Sequence, residues 1–103
     1  MRIRGRTLAV CGMLGDKDVA GVVQALAADI DEWFAAGLEG PRALSATDLA
    51  GRAARVGVSM QPAGTVAEAM AQAAVRAVPG DRILVFGSFH CVGPALVALG
   101  VPL

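Results

Sequence analysis

The 103-residue sequence predicts an α/β fold in which strands and helices alternate, with a mostly parallel sheet layered between helices. Three observations predict it. Apolar runs of strand length alternate with stretches whose apolar residues recur at helical spacing. Capping signatures and Gly or Pro turns stand between them. The apolar residues, 55% of the chain, divide between helix-favouring alanine (21 residues) and strand-favouring valine (13 residues).

Residues 7–14 form a near-continuous apolar run, as a strand covered on both faces would. A polar turn, Gly15-Asp16-Lys17-Asp18, follows. Val19, Val22, Val23, Leu26, Ala27 and Ile30 then mark one helical stripe, with Asp16 and Asp18 near its N-terminus, where carboxylates suit the unpaired N–H groups and the dipole. Residues 32–38 read as a second strand, and Gly40-Pro41 breaks the chain. Ser45-Ala46-Thr47-Asp48 has the capping-box pattern and opens a helix through about Arg55, with Leu49, Ala50 and Ala53 inward and Gly57 as C-cap. A short third strand is expected at 58–61. Thr65-Val66-Ala67-Glu68 is a second capping box, and behind it Val66, Ala69, Met70, Ala73, Ala74 and Ala77 repeat the helical stripe. Pro79-Gly80 is a turn. Residues 82–86 make the clearest strand, β-branched and aromatic. After a loop at 87–91, Pro94 opens a last helix with Ala95, Leu96 and Leu99 inward. The order is βαβαβαβα: about four strands and four helices in three layers, a Rossmann-like arrangement within a single domain spanning 1–103, with parallel strands joined by right-handed crossovers.

Nine Lys and Arg balance nine Asp and Glu, so the formal charge is zero. A binder that neutralises nucleic-acid phosphates needs a surplus of Lys and Arg, and so does a polybasic membrane-surface segment; neither fits. The apolar content excludes disorder. Cys11 and Cys91 show no metal-ligand spacing and read as two reduced, packed thiols in a cytoplasmic protein. The basic start followed by an apolar run mimics a secretory signal, but Asp16-Lys17-Asp18 replaces a cleavage site. Residues 83–103 hold no Asp, Glu, Lys or Arg, long enough for a membrane span, yet Gly87, Gly93, Pro94, Gly100 and Pro102 punctuate them. A strand, a turn and a short helix fit those breaks better.

Ligands of open α/β sheets bind beyond the carboxyl ends of the strands. Two loops leave such ends, 12–18 and 87–94, each glycine-bearing and each running into a helix N-terminus that favours anions. Lys17, the single lysine of the chain, suits a carboxylate or phosphate; Ser88 adds a hydroxyl and His90 a donor or acceptor near neutral pH. Each also has a plain reading. Lys17 between two aspartates suits a solvated turn, and His90 beside Phe89 a hydrogen-bonded packing residue. Trp33 reads as core, and the acidic group Asp29, Asp31 and Glu32 as a solvated helix end. Neither loop is a nucleotide signature by itself.

Leu8-Ala9-Val10-Cys11-Gly12-Met13-Leu14-Gly15-Asp16-Lys17-Asp18 and Val85-Phe86-Gly87-Ser88-Phe89-His90-Cys91-Val92-Gly93 together resemble the C-terminal domain of the bacterial folylpolyglutamate synthase/dihydrofolate synthase family, in the Mur ligase superfamily. Pro41-Arg42 and Gly80-Asp81-Arg82 fit as well, and the resemblance runs over about residues 6 to 99. It implies an ATP-dependent amide ligase with ATP and Mg²⁺ as cofactors, in which ATP phosphorylates a dihydropteroate or folate carboxylate and the glutamate amine attacks the acyl phosphate. It also implies that Lys17 and Ser88 contact the incoming glutamate, with Asp16, Asp18 and His90 beside them. Cys91 stands where the family often has Thr. The family's G-T-x-G-K-G-S loop is absent, and its L-D-x-A-H-N-P segment would lie upstream of Met1. The expectation is therefore a partial domain without its first βα unit. It holds no catalytic residue and no metal ligand of its own, is inactive alone, and self-associates through an exposed sheet edge. The alternative from residues alone is a stand-alone α/β ligand-binding or protein-interaction module.

Overall fold

Four strands and three α-helices alternate along the chain: β1 (Thr7–Gly12), α1 (Val19–Leu26), β2 (Glu32–Gly37), α2 (Ala46–Ala54), β3 (Gln61–Thr65), α3 (Val66–Arg76) and β4 (Arg82–Gly87). A 3-10 turn at Ala27–Asp29 extends α1. The computed structural model describes residues 5–15 and 18–87. All strand pairs are parallel, in the order β3-β2-β1-β4.

β1 is buried along its whole length because it has strands on both sides and helices on both faces. On one face Ala9, Cys11, Trp33 and Ala35 pack against Val19 and Val23 of α1 and Leu49 and Ala53 of α2. On the other, Leu8, Val10, Phe34 and Ala36 meet Val66, Ala69, Met70 and Ala73 of α3. Ala69 and Ala73 on the helix leave room for the larger Leu8 and Phe34 of the sheet. Trp33 belongs to the core, edge-on to Phe86 with ring centroids 5.8 Å apart. Cys11 is fully buried in the core; Cys91 lies outside the described residues.

The helix starts follow the capping signatures. Thr65 accepts from the Glu68 N–H at 3.1 Å while the Glu68 carboxylate accepts from the Thr65 N–H at 3.0 Å, a complete capping box. Ser45 supplies one half of that arrangement, accepting from the Asp48 N–H at 3.0 Å. After α2 the chain reverses at Gly57, whose φ of +83° suits glycine.

Two expectations need correction. The third strand lies at Gln61–Thr65, one strand's length later than 58–61. Val58 and Met60 are buried, but as a connection packed on the α2 face. The strand itself carries Pro62 and Gly64, which sequence patterning reads as breakers; its place at the sheet edge tolerates them. The stripe of α1 is narrower than its spacing suggested: Val22 is exposed, and the helix tightens into the 3-10 turn after Leu26. The described residues hold three α-helices; the expected fourth, from Pro94, lies outside them. Residues 83–87 of the uncharged tail are strand, and no helix among the described residues is long and apolar enough to cross a membrane.

At the amino ends of the strands the charged residues lock together. Arg6, just before β1, pairs with Glu32 at the start of β2 and with Asp81 before β4, and Arg76 at the end of α3 also pairs with Glu32. Asp81 accepts from the backbone N–H of Arg6 at 2.8 Å and of Val78 at 3.0 Å. The Thr7 N–H donates to Asp31 at 2.7 Å. Asp31 and Glu32 therefore serve the fold rather than forming a solvated helix end.

These contacts set a pH dependence. Backbone donation from Val78 and Arg6, then the Arg6 guanidinium, hold the Asp81 carboxyl below its usual range. Arg76, then Arg6, lower Glu32. A carboxyl whose pKa is lower in the folded state contributes stability above its unfolded value, and that stability is lost as pH falls through the lowered one. Urea unfolding is expected to show stability dropping below about pH 4 to 5. Asp81→Asn should flatten that acid limb; an unchanged limb would remove Asp81 from the account. Leu49 is fully buried, so Leu49→Ala is expected to cost about 2–5 kcal/mol in the same measurement. A loss under about 1 kcal/mol would contradict the packing of α2.

Candidate functional site

The strand order places the site. From β1 the chain steps outward through β2 to β3, then crosses to the far side of β1 to lay down β4. The order thus reverses between β1 and β4, and ligands of open α/β sheets bind at such a reversal, beyond the carboxyl ends. The two loops singled out in the sequence leave from these two ends. Gly12 and Gly87 are register partners, so the exits stand about 5 Å apart. Neither residue has a side chain to fill the gap. At Gly87, with φ of +131°, an added Cβ would collide with the Gly12 carbonyl oxygen.

The exit of β1 is built against the segment that enters α2. Leu14 forms an antiparallel bridge with Ala43. The Leu44 N–H donates to the Met13 carbonyl at 3.1 Å, and the Gly15 N–H to the Arg42 carbonyl at 2.6 Å. The Arg52 guanidinium donates to the Gly15 carbonyl at 2.9 Å. Asp18 reappears as the N-cap of α1, accepting from the Gly21 N–H at 3.1 Å. Its carboxylate is exposed beside the free N–H groups of the first helical turn.

Of the residues named from sequence, Asp18 is the one the described structure contains. Asp16, Lys17, Ser88 and His90 lie outside the described residues. What the fold fixes is that their loops depart side by side from one edge of the sheet. Sequence reading assigned no role to Arg52. Its partner lies 37 positions away, and no local pattern announces such a pairing.

Three carboxylates lie elsewhere. Asp31, Glu32 and Asp81 sit at the opposite, amino edge. Among the described residues no group of three or more His, Cys, Asp or Glu is placed to hold a metal ion. An open groove on α3, lined by Gln61, Ala71, Gln72, Val75 and Arg76, lies toward the β3 edge. Its polar groups are committed: Gln61 to Gln72 at 3.1 Å, and Arg76 to Glu32.

Residues 1–89 match the family model of the Mur ligase glutamate ligase domain. The chain belongs to that family. It is 44% identical over 88 residues to the dihydrofolate synthase/folylpolyglutamate synthase of Escherichia coli strain K12, a match spanning 85% of this chain and 20% of that protein. Among solved structures, E. coli FolC in complex with DHPP and ADP superposes with a TM-score of 0.86 at 37% identity, over 97% of this chain and 23% of that one. A bifunctional folylpolyglutamate synthase/dihydrofolate synthase with Mn, AMPPNP and L-glutamate bound gives a TM-score of 0.80 at 40% identity, over 94% of this chain and 23% of that one. This glutamate ligase domain therefore spans about a fifth of the length of the relatives it matches.

The glycine pair gives the site a direct test. Gly87→Ala should destabilise the domain by more than about 1 kcal/mol, since it adds both a positive-φ penalty and a backbone collision. Gly40→Ala, at a positive φ with open space around it, supplies the control for φ alone. Equal losses at the two positions would argue against the close approach of β1 and β4.

Proposed function

We propose that this domain is the glutamate-binding part of an ATP-dependent ligase that couples glutamate to dihydropteroate or folate. The observation that carries the reading is the Gly12–Gly87 pairing at the reversal of strand order. It brings the loops of Lys17 and Ser88 to one place, and relatives of this family are folate-glutamate ligases by name. A solved relative has L-glutamate and AMPPNP bound, which supports both ligands for the whole enzyme.

In this reading Lys17 meets a carboxylate of the incoming glutamate as a mobile point charge. Ser88 donates its hydroxyl, and the N–H groups at the start of α1 add their partial positive charge. Asp16 and Asp18 orient the amine end, and His90 adds a donor or acceptor. ATP phosphorylates the dihydropteroate or folate carboxylate, the glutamate amine attacks that carbonyl, and phosphate leaves. The phosphorylation belongs to other parts of the full enzyme. Mg²⁺ favours oxygen ligands, above all clustered carboxylates. Asp18 at the crevice is committed as a helix cap, and among the described residues no group of three or more His, Cys, Asp or Glu is placed to hold a metal ion. The described residues do not fit a Mg²⁺ site, and no step runs through the ion in this domain. A cytoplasmic location belongs to the same proposal.

The test is ATP-dependent coupling of glutamate to dihydropteroate by the full-length protein that carries this domain, with release of ADP and phosphate. Lys17→Ala should raise KM for glutamate about ten- to a hundredfold, the value of one charge-assisted hydrogen bond. Absence of coupling by the wild type, with both substrates and nucleotide supplied, would overturn the proposal.

A further inference from the structure

The loop that leaves β1 is held by a side chain from another element. Both backbone groups of Gly15 are engaged: its N–H by the Arg42 carbonyl at 2.6 Å, its carbonyl by the Arg52 guanidinium at 2.9 Å. Arg52 is half-buried on α2, one turn beyond Leu49 and beside Ala53, both fully buried. Ser45 caps the start of the same helix. The guanidinium is therefore delivered from an element fixed by its packing, and it reaches a carbonyl at the mouth of the β1/β4 reversal. A planar guanidinium loses less freedom per hydrogen bond than a lysine ammonium would, so arginine suits this anchoring task. Arg52 also lies in the last turn of α2, where a cation suits the helix dipole, but its guanidinium is directed to the Gly15 carbonyl.

We propose that Arg52 is a positioning residue for glutamate binding. By holding the Gly15 carbonyl it fixes the loop after β1 against the α2 arm and keeps the space beside Gly12 and Gly87 open to the amino acid. The inference rests on the ligase reading above and adds a residue to it that touches no substrate. Displacing a binding loop by about 1 Å is enough to cost up to a hundredfold in substrate use. The cost falls on binding more than on turnover, because Arg52 holds a loop carbonyl and touches neither the attacking amine nor the acyl phosphate.

The experiment uses the full-length enzyme carrying this domain, as wild type, Arg52→Ala and Arg52→Lys. Arg52→Ala is expected to raise KM for glutamate about tenfold or more with kcat changed by less than about threefold, and Arg52→Lys to recover part of the loss. Hydrogen exchange on the same proteins should show the Gly15 amide exchanging about tenfold faster in Arg52→Ala, with the Val10 and Phe34 amides unchanged. An active wild type matched by Arg52→Ala in KM overturns the proposal. So does faster exchange throughout the sheet with KM and kcat both impaired, which marks a general loss of stability. A wild type without glutamate coupling overturns the ligase reading itself, and the Gly15 exchange then decides whether Arg52 anchors the loop.

Discussion

Burial of β1 on all sides is the constraint from which the rest follows. It has a strand at each flank and helices over each face. Crossovers between parallel strands are right-handed, so successive strands laid in one direction keep their helices on one face. α1 and α2 obey that rule while the chain moves from β1 to β3. Covering the second face requires the chain to turn back past β1, and α3 then packs there as β4 is laid down on the far side. The reversal that buries β1 is therefore the same event that brings two strand ends together without an intervening helix. The candidate site is a by-product of completing the core.

The two edges of the sheet divide the polar work. At the amino edge, Arg6, Arg76, Glu32 and Asp81 neutralise one another and tie the starts of three strands to the end of a helix. At the carboxyl edge the strands end in glycines, and the nearby contacts are mostly backbone. A neutral chain can thus hold a concentration of charge without presenting it. The edge that meets ligand is shaped first by absent side chains and hydrogen-bonded loops, with few charges left to select what binds.

That division also explains what was legible in the sequence. Elements set by local signals were readable: the capping box at Thr65, the buried run of β1, the stripe of α3 and the strand ending at Gly87. β3 was not, because Pro62 and Gly64 argue against a strand everywhere except at an edge, and edge position is a property of the assembled sheet. The acidic group at 29–32 looked solvated because Arg6 and Arg76, its partners in the fold, are remote in sequence. The carboxyl-edge loops were readable from their glycines, whereas Arg52 depends on a contact that exists once α2 has docked.

In the ligase reading proposed above, a domain built this way contributes by binding rather than by reacting. Asp18 and Glu68 cap helices, Glu32 and Asp81 lock the far edge, the Cys11 thiol is buried, and the glycines have no side chain to lend. Rate enhancement needs interactions that strengthen in the transition state, and those require groups at the reacting atoms. What a glycine-ended sheet supplies instead is a place where an amino acid can approach backbone closely and be held in one orientation. Restricting that freedom is itself worth several kcal/mol when a second substrate is held in line by another domain. The amino-edge lock and the anchored β1 loop serve that end alike: each removes motion that the ligand would otherwise have to quench.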